Sequence, residues 1–145
     1  MKKAVLVCGM LLAVMCCFAQ KIRENEVPSL VMNTFKQRFP KATDIGWKQS
    51  GSLYEASFEV GSAEYEVWID QSGKLIKLEQ EIRESQLPAA VSAAISKEFS
   101  GYRTDDIERI EESGTITYKM ELKKGAEEWK VRFDQSGKIL DRVAD

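Results

Sequence analysis

Twice along this chain an alternating apolar run meets the same turn. Tyr65, Val67 and Ile69 alternate with polar neighbours and end at Asp70-Gln-Ser-Gly-Lys; Trp129, Val131 and Phe133 do the same before Asp134-Gln-Ser-Gly-Lys. The two aspartates stand 134 − 70 = 64 residues apart. Period-two alternation ending in Asp-x-x-Gly predicts a strand that enters a tight turn and leaves as another strand. Upstream of each copy the period changes to that of a helix. Val27, Val31, Phe35 and Phe39, with Leu30, share one face behind Pro28, and Leu87, Val91, Ile95 and Phe99 repeat the stripe behind Pro88. Pro40 ends the first helix.

Between helix and turn the pattern predicts three strands. Ile45 and Trp47 mark the first, and Tyr54, Ala56, Phe58 and Val60 are the inward positions of the second, with Glu55, Ser57 and Glu59 outward. The Tyr65 strand is the third, and a fourth leaves Gly73 and runs to about Gln80. In the second half Ile107 and Ile110 mark a strand, and Tyr118, Met120 and Leu122 the inward face of the next. Gln20 to Glu26 is polar and reads as a frayed lead-in. The charged stretch from Glu79 lacks a clean period, which puts the boundary between units near Arg83. The chain is therefore α+β: two α-β-β-β-β repeats, residues 20–83 and 84–145, whose short connections force antiparallel meanders of about eight strands in all. One amphipathic helix per unit buries its stripe on one sheet face. The other face is left uncovered.

The first 19 residues read differently. Lys2 and Lys3 precede an apolar run from Ala4 to Phe18 that ends in Cys17-Phe18-Ala19, the pattern of a secretory signal cleaved before Gln20. The run is short of the roughly 20 residues a spanning helix needs, and nothing later approaches that length. All three cysteines, Cys8, Cys16 and Cys17, lie in this segment, so the mature chain is expected to use no disulfide or thiolate chemistry. Met15 before Cys16 argues against a lipid anchor. A periplasmic or secreted protein without membrane insertion is the expectation.

Charge narrows the partners. Without Lys2 and Lys3 the chain carries 21 − 2 = 19 basic against 23 acidic side chains. The signs are interspersed, which argues against a nucleic-acid footprint. There is no histidine, so the commonest general base and metal ligand is missing. No serine lies in a nucleophile elbow. The Asp-Gln-Ser-Gly loops offer too few oxygens for calcium and suit turn chemistry. Carboxylate pairs such as Glu64/Glu66 and Glu111/Glu112 read as solvating charge. No enzymatic activity, cofactor or metal is expected.

Trp68 is the oddity. If Tyr65, Val67 and Ile69 face the helix, Trp68 lies on the uncovered face, with Arg132 as its counterpart in the second unit. Tryptophan and arginine are enriched where interfaces concentrate their binding energy. Either a partner covers Trp68, or a loop, the N-terminal segment or a long neighbour such as Lys77 does. The expected contact set is Glu55, Ser57, Glu66, Trp68, Lys77, Lys119, Lys130 and Arg132, and the expected partner a protein or peptide of the cell envelope. A second reading, from another class, is a small apolar ligand held between helix and sheet near Ala56, Ala90, Ala93 and Ala94. Trp47 and Trp129 fall on apolar faces.

Val27, Pro28, Val31, Phe35, Phe39, Pro40, Ala42, Trp47, Asp70, Gly73 and Lys74 together resemble the PepSY-like domains of secreted bacterial proteins, similar in fold to the beta-lactamase inhibitor protein. The second copy keeps Leu87, Pro88, Val91, Ile95, Phe99, Asp134, Gly137 and Lys138, with Ser100 in place of Pro40 and Ile110 near the place of Trp47. The resemblance implies a tandem repeat forming one curved sheet, with both helices on the convex side and a concave face open. In the inhibitor that face grips an enzyme. No inhibitory loop is matched here residue by residue, so the resemblance implies architecture and compartment and names no target.

Overall fold

The computed structural model describes residues 19–145. The signal-peptide reading and the three cysteines thus lie outside the described residues. A short strand β1 (Gln20–Ile22) leads through a 3-10 turn to helix α1 (Ser29–Arg38). Strands β2 (Thr43–Ser50), β3 (Leu53–Val60), β4 (Ala63–Asp70) and β5 (Leu75–Glu81) follow. A second 3-10 turn then precedes α2 (Ala89–Glu98), β6 (Arg103–Glu112), β7 (Thr115–Lys124), β8 (Glu127–Asp134) and β9 (Ile139–Ala144). The strands form one sheet in sequence order, every neighbouring pair antiparallel.

Among the described residues the sheet has nine strands rather than about eight, because Gln20 to Ile22 is not frayed. It pairs with β2, Ile22 opposite Trp47 and Gln20 opposite Gln49. Within β5 the same pairing recurs sixty residues on, Gln80 opposite Arg109, and Ile82 donates its N–H to the carbonyl of Ile107 at 2.9 Å. Gln20-Lys-Ile-Arg and Gln80-Glu-Ile-Arg are versions of one lead-in. The N–H of Arg23 donates to the Glu26 carboxylate at 2.7 Å, and that of Arg83 to Oε1 of Gln86 at 2.9 Å. Polarity alone reads as loop, but a side chain returning three residues to a backbone N–H holds such a stretch in a turn.

Two hydrophobic clusters form. In one, Val31 and Phe35 of α1 pack on Trp47, Tyr54, Ala56, Phe58, Val67 and Ile69. In the other, Val91 and Ile95 of α2 pack on Ile107, Tyr118, Met120, Leu122, Val131 and Phe133. The first is aromatic: the Phe35 ring lies edge-on to Trp47 and to Phe58, each at 5.0 Å. Such pairs add about 0.5–1.5 kcal/mol beyond area burial. Leu30, expected within the stripe, is instead 57% exposed. At 100° per residue it stands about 100° from Val31 and about 140° from Phe35, outside the arc that the sheet covers.

One row of opposed residues runs Phe58, Tyr65, Gln80, Arg109, Tyr118 and Phe133. Because opposed residues share a face, the sides bearing α1 and α2 are the same side of the sheet. Ile107 lies on that side and Ile110 does not. A bulge between Asp105 and Glu108 resets the register; Ile107 takes the place of Trp47, and Ile110 faces the other way, opposite Glu79 and Thr117. The expectation that Ile110 replaces Trp47 is corrected accordingly.

The two turns explain the duplicated motif. Oδ1 of Asp70 accepts the N–H groups of Ser72 (2.9 Å) and Lys74 (3.1 Å) and the hydroxyl of Ser72 (2.6 Å), and Asp134 repeats all three. Each turn abuts its helix. The Thr34 hydroxyl donates to the carbonyl of Gly73 at 2.7 Å.

The face opposite the helices

All eight residues of the expected contact set lie on the face away from the helices, and the registers assemble them into rows. Glu55, Trp68 and Lys77 stand opposite one another on β3, β4 and β5. Ser57 and Glu66 begin a second row that continues through Glu79 and Ile110. Lys119 and Arg132 are opposed on β7 and β8, after Glu81 and Glu108 in the same row. Lys130 is opposite Glu121. The eight are spread across five strands rather than gathered at one point.

Most are already engaged with neighbours. Lys48 reaches Glu55 at 2.8 Å, Lys119 reaches Glu108 at 3.0 Å and Lys130 reaches Asp145 at 2.7 Å. The Ser57 hydroxyl donates to Glu66 at 3.4 Å. Trp68 is half-buried, and the ammonium of Lys77 lies over its ring. Of the covers considered for Trp68, the structure places Lys77 there.

The middle of the face is acidic. A groove of about 630 Å³ at the junction of the two halves is lined by Glu64, Glu66, Glu79, Glu81, Asp106, Glu108 and Glu121, against Lys119 and Lys130. The Glu66 carboxyl is raised above its ordinary value, chiefly by burial and then by the charges of Glu55 and Glu79. A site that raises a carboxyl in this way favours arriving positive charge. Glu79, Glu81 and Glu108 were absent from the expected set. Their signal is present: after Ile76, Lys77, Glu79 and Glu81 alternate with Leu78 and Gln80. Glu79 and Glu81 are passed over because the charged stretch that begins there reads as a boundary between units, although they continue the alternation of Lys77.

Ile110 is also informative. It is 2% exposed yet belongs to neither core cluster. Its burial on this face, between Glu79 and Thr117, requires charged side chains to lie along the sheet rather than stand off it. At the far end Glu121, Glu128 and Asp145 bring one oxygen each within 4.8 Å of the others. Lys123 supplies the cation there, 2.6 Å from Glu121 and 3.5 Å from Glu128. Its ammonium is held well above the usual lysine range by the hydrogen bond to Glu121. Asp145 is paired instead with Lys130, at 2.7 Å.

Residues 52–141 match the model of a family described as putative beta-lactamase-inhibitor-like, PepSY-like. Among solved structures, a BLIP-like protein from Bacteroides fragilis is 25% identical with a TM-score of 0.68, over 81% of this chain and 86% of that one. A protein described as a putative periplasmic protein, from Bacteroides eggerthii, is 20% identical with a TM-score of 0.73, over 81% and 88%. No curated protein matches. No helix among the described residues is long and apolar enough to cross a membrane.

Proposed function

This chain belongs to the putative beta-lactamase-inhibitor-like, PepSY-like family, and on that premise we propose that it is an exported, non-enzymatic binding module. It is a doubled unit that takes a protein partner on the sheet face opposite its helices. The observation that carries the reading is the groove at the junction, where seven carboxylates meet two lysines, on the sheet face that also bears the half-buried Trp68. An acidic cleft on a face that also carries an aromatic suits a basic segment of a partner: the charge steers encounter and the ring supplies contact area. The partner in this reading presents lysine or arginine side chains to Glu66, Glu79 and Glu108. The BLIP-like relative supports the use of this fold for protein contact, and the periplasmic relative supports the compartment.

The test is site-specific photocrosslinking in the native envelope, with the crosslinker at Glu81 or Lys119 on the open face and at Ser96 on α2 as control. The expected result is one adduct from both open-face positions, absent from Ser96 and suppressed by raised salt, as a charge-steered contact requires. Adducts from Ser96 alone, or equally from all three, would refute the assignment of this face.

A further inference from the structure

On the open face, one cation of the chain sits over an aromatic ring. The ammonium of Lys77 lies 4.3 Å from the centre of the Trp68 ring and 2.5 Å from the Glu79 carboxylate. Register explains the arrangement: Lys77 is opposite Trp68 across β4 and β5, and Glu79, two residues further along β5, shares its face. Glu79 is in turn opposite Glu66. Among the described residues Glu66 is met by the Ser57 hydroxyl at 3.4 Å, and no ammonium or guanidinium pairs with it. An indole face and two carboxylates thus share one positive charge, and the chain itself supplies it.

The second half has no such site. Sixty-four residues on, Arg132 stands at the place of Trp68, Asp141 at that of Lys77 and Val143 at that of Glu79. Arg132 and Asp141 are again opposed, so each has a counter-charge across the strands. In the first half the cation is held by the quadrupole of the ring and by Glu79, a contact comparable with the rotamer freedom that a lysine gives up to make it. Lys77 also keeps 27% of its side-chain surface exposed. It can leave the ring for water without moving the backbone.

We propose that Lys77 is a placeholder in a recognition site for a lysine or arginine side chain of the partner. The incoming cation takes the position over Trp68, pairs with Glu79 and Glu66, and sends Lys77 to solvent. The inference rests on the reading of this face as the partner's. It adds an autoinhibitory contact, because apparent affinity falls by the fraction of molecules whose site is open. The contact also selects. A partner with a single basic residue competes with an internal ammonium on equal terms, whereas one with several gains further pairing along Glu64, Glu81 and Glu108 and displaces it.

The experiment is calorimetric titration of the full chain, at low salt, with a tetralysine peptide blocked at both ends. Lys77→Met keeps an unbranched side chain against the ring but removes the ammonium, and it should tighten binding about fivefold. Lys119→Met removes the same charge from the same face without opening a ring, and should tighten binding about twofold or less. In a Trp68→Leu background the extra gain from Lys77→Met should vanish, leaving only the charge effect. A gain from Lys77→Met no larger than that from Lys119→Met, or one that survives Trp68→Leu, would overturn the placeholder while leaving the reading of the face intact. Absence of tetralysine binding in the wild type and in every variant would overturn both.

Discussion

The ammonium of Lys77 lies 4.3 Å from the centre of the Trp68 ring and 2.5 Å from the Glu79 carboxylate. Trp68 is therefore held in place by a side chain that a partner can displace. It belongs to neither core cluster. A partly exposed cation–π contact is worth about 0.5–1 kcal/mol, so Trp68→Ala should lower Tm by about 5 °C or less. The same change should weaken partner capture about tenfold or more, the scale of a tryptophan hot spot. Thermal denaturation alongside the crosslinking yield checks both, and a large drop in Tm would make Trp68 structural.

The duplicated turns give a sharper stability test. A methyl on Gly137 would stand 2.4 Å from the carbonyl oxygen of Ala90, and one on Gly73 would stand 2.9 Å from that of Leu30. Both residues also have positive φ, 82° and 85°. The left-handed conformation alone costs about 1–2 kcal/mol for a residue with a Cβ. Backbone on the far side of the contact cannot move without shifting the helix, so Gly137→Ala should cost about 3 kcal/mol or more, and Gly73→Ala somewhat less. Gly51→Ala, whose φ is also positive at 60° but whose methyl meets nothing within 4 Å, should cost only about 1–2 kcal/mol, that of the backbone conformation. Urea denaturation of the three variants orders them.

Acid should act on the turns and on the acidic face in opposite senses. Hydrogen bonds from Ser72 and Ser136, and from backbone N–H groups, hold the carboxyls of Asp70 and Asp134 below their ordinary value. A folded-state pKa below the unfolded one contributes stability that is present above the unfolded value and is lost as pH falls through the folded value. The destabilisation of Asp134→Ala should thus be full at neutral pH and shrink in acid. Glu66 is raised, so its ionisation works against the fold as pH rises past the ordinary carboxylate value. Glu66→Gln should stabilise the protein at pH 7 and lose that advantage near pH 4. Urea midpoints across this range measure both, and parallel curves for mutant and wild type would contradict the assignment.

The architecture was legible because alternation and turn chemistry are local: Tyr65, Val67 and Ile69 announce a half-buried strand whatever surrounds them. Trp68 could be placed on the uncovered face by the same period. What failed were features set by register. The bulge beside Asp106 changed the faces of β6, which misplaced Ile110 and hid Glu108, while Glu79 and Glu81 were lost in a charged stretch that reads as a boundary. A bulge leaves no hydrophobic signature in the chain, since it inserts one residue without altering composition. The small-ligand reading rested on the alanines of α2, and Ala90 and Ala93 are exposed, so they wall no space between helix and sheet.

The lead-in strand offers the last test, because the chain contains its own control. Ile22 and Ile82 occupy equivalent positions sixty residues apart, each beside the strand that follows its helix. Ile22 lies in β1, at the edge of the sheet, and is only partly buried. Ile82 follows β5, which has a strand on either side, and is 8% exposed. Large-to-small changes in a closed core cost about 2–5 kcal/mol, because neighbours cannot collapse into the cavity. At an edge the lost area is smaller and water fills the gap. Ile82→Ala should therefore cost about 3 kcal/mol and Ile22→Ala about 1 kcal/mol. The same three-residue stub covers the β2 edge only from Trp47 to Gln49, and short edge strands limit pairing with other chains. Equal losses in the two variants would mean that β1 is as firmly built in as β5, and that the edge of the sheet lies elsewhere than the fold implies.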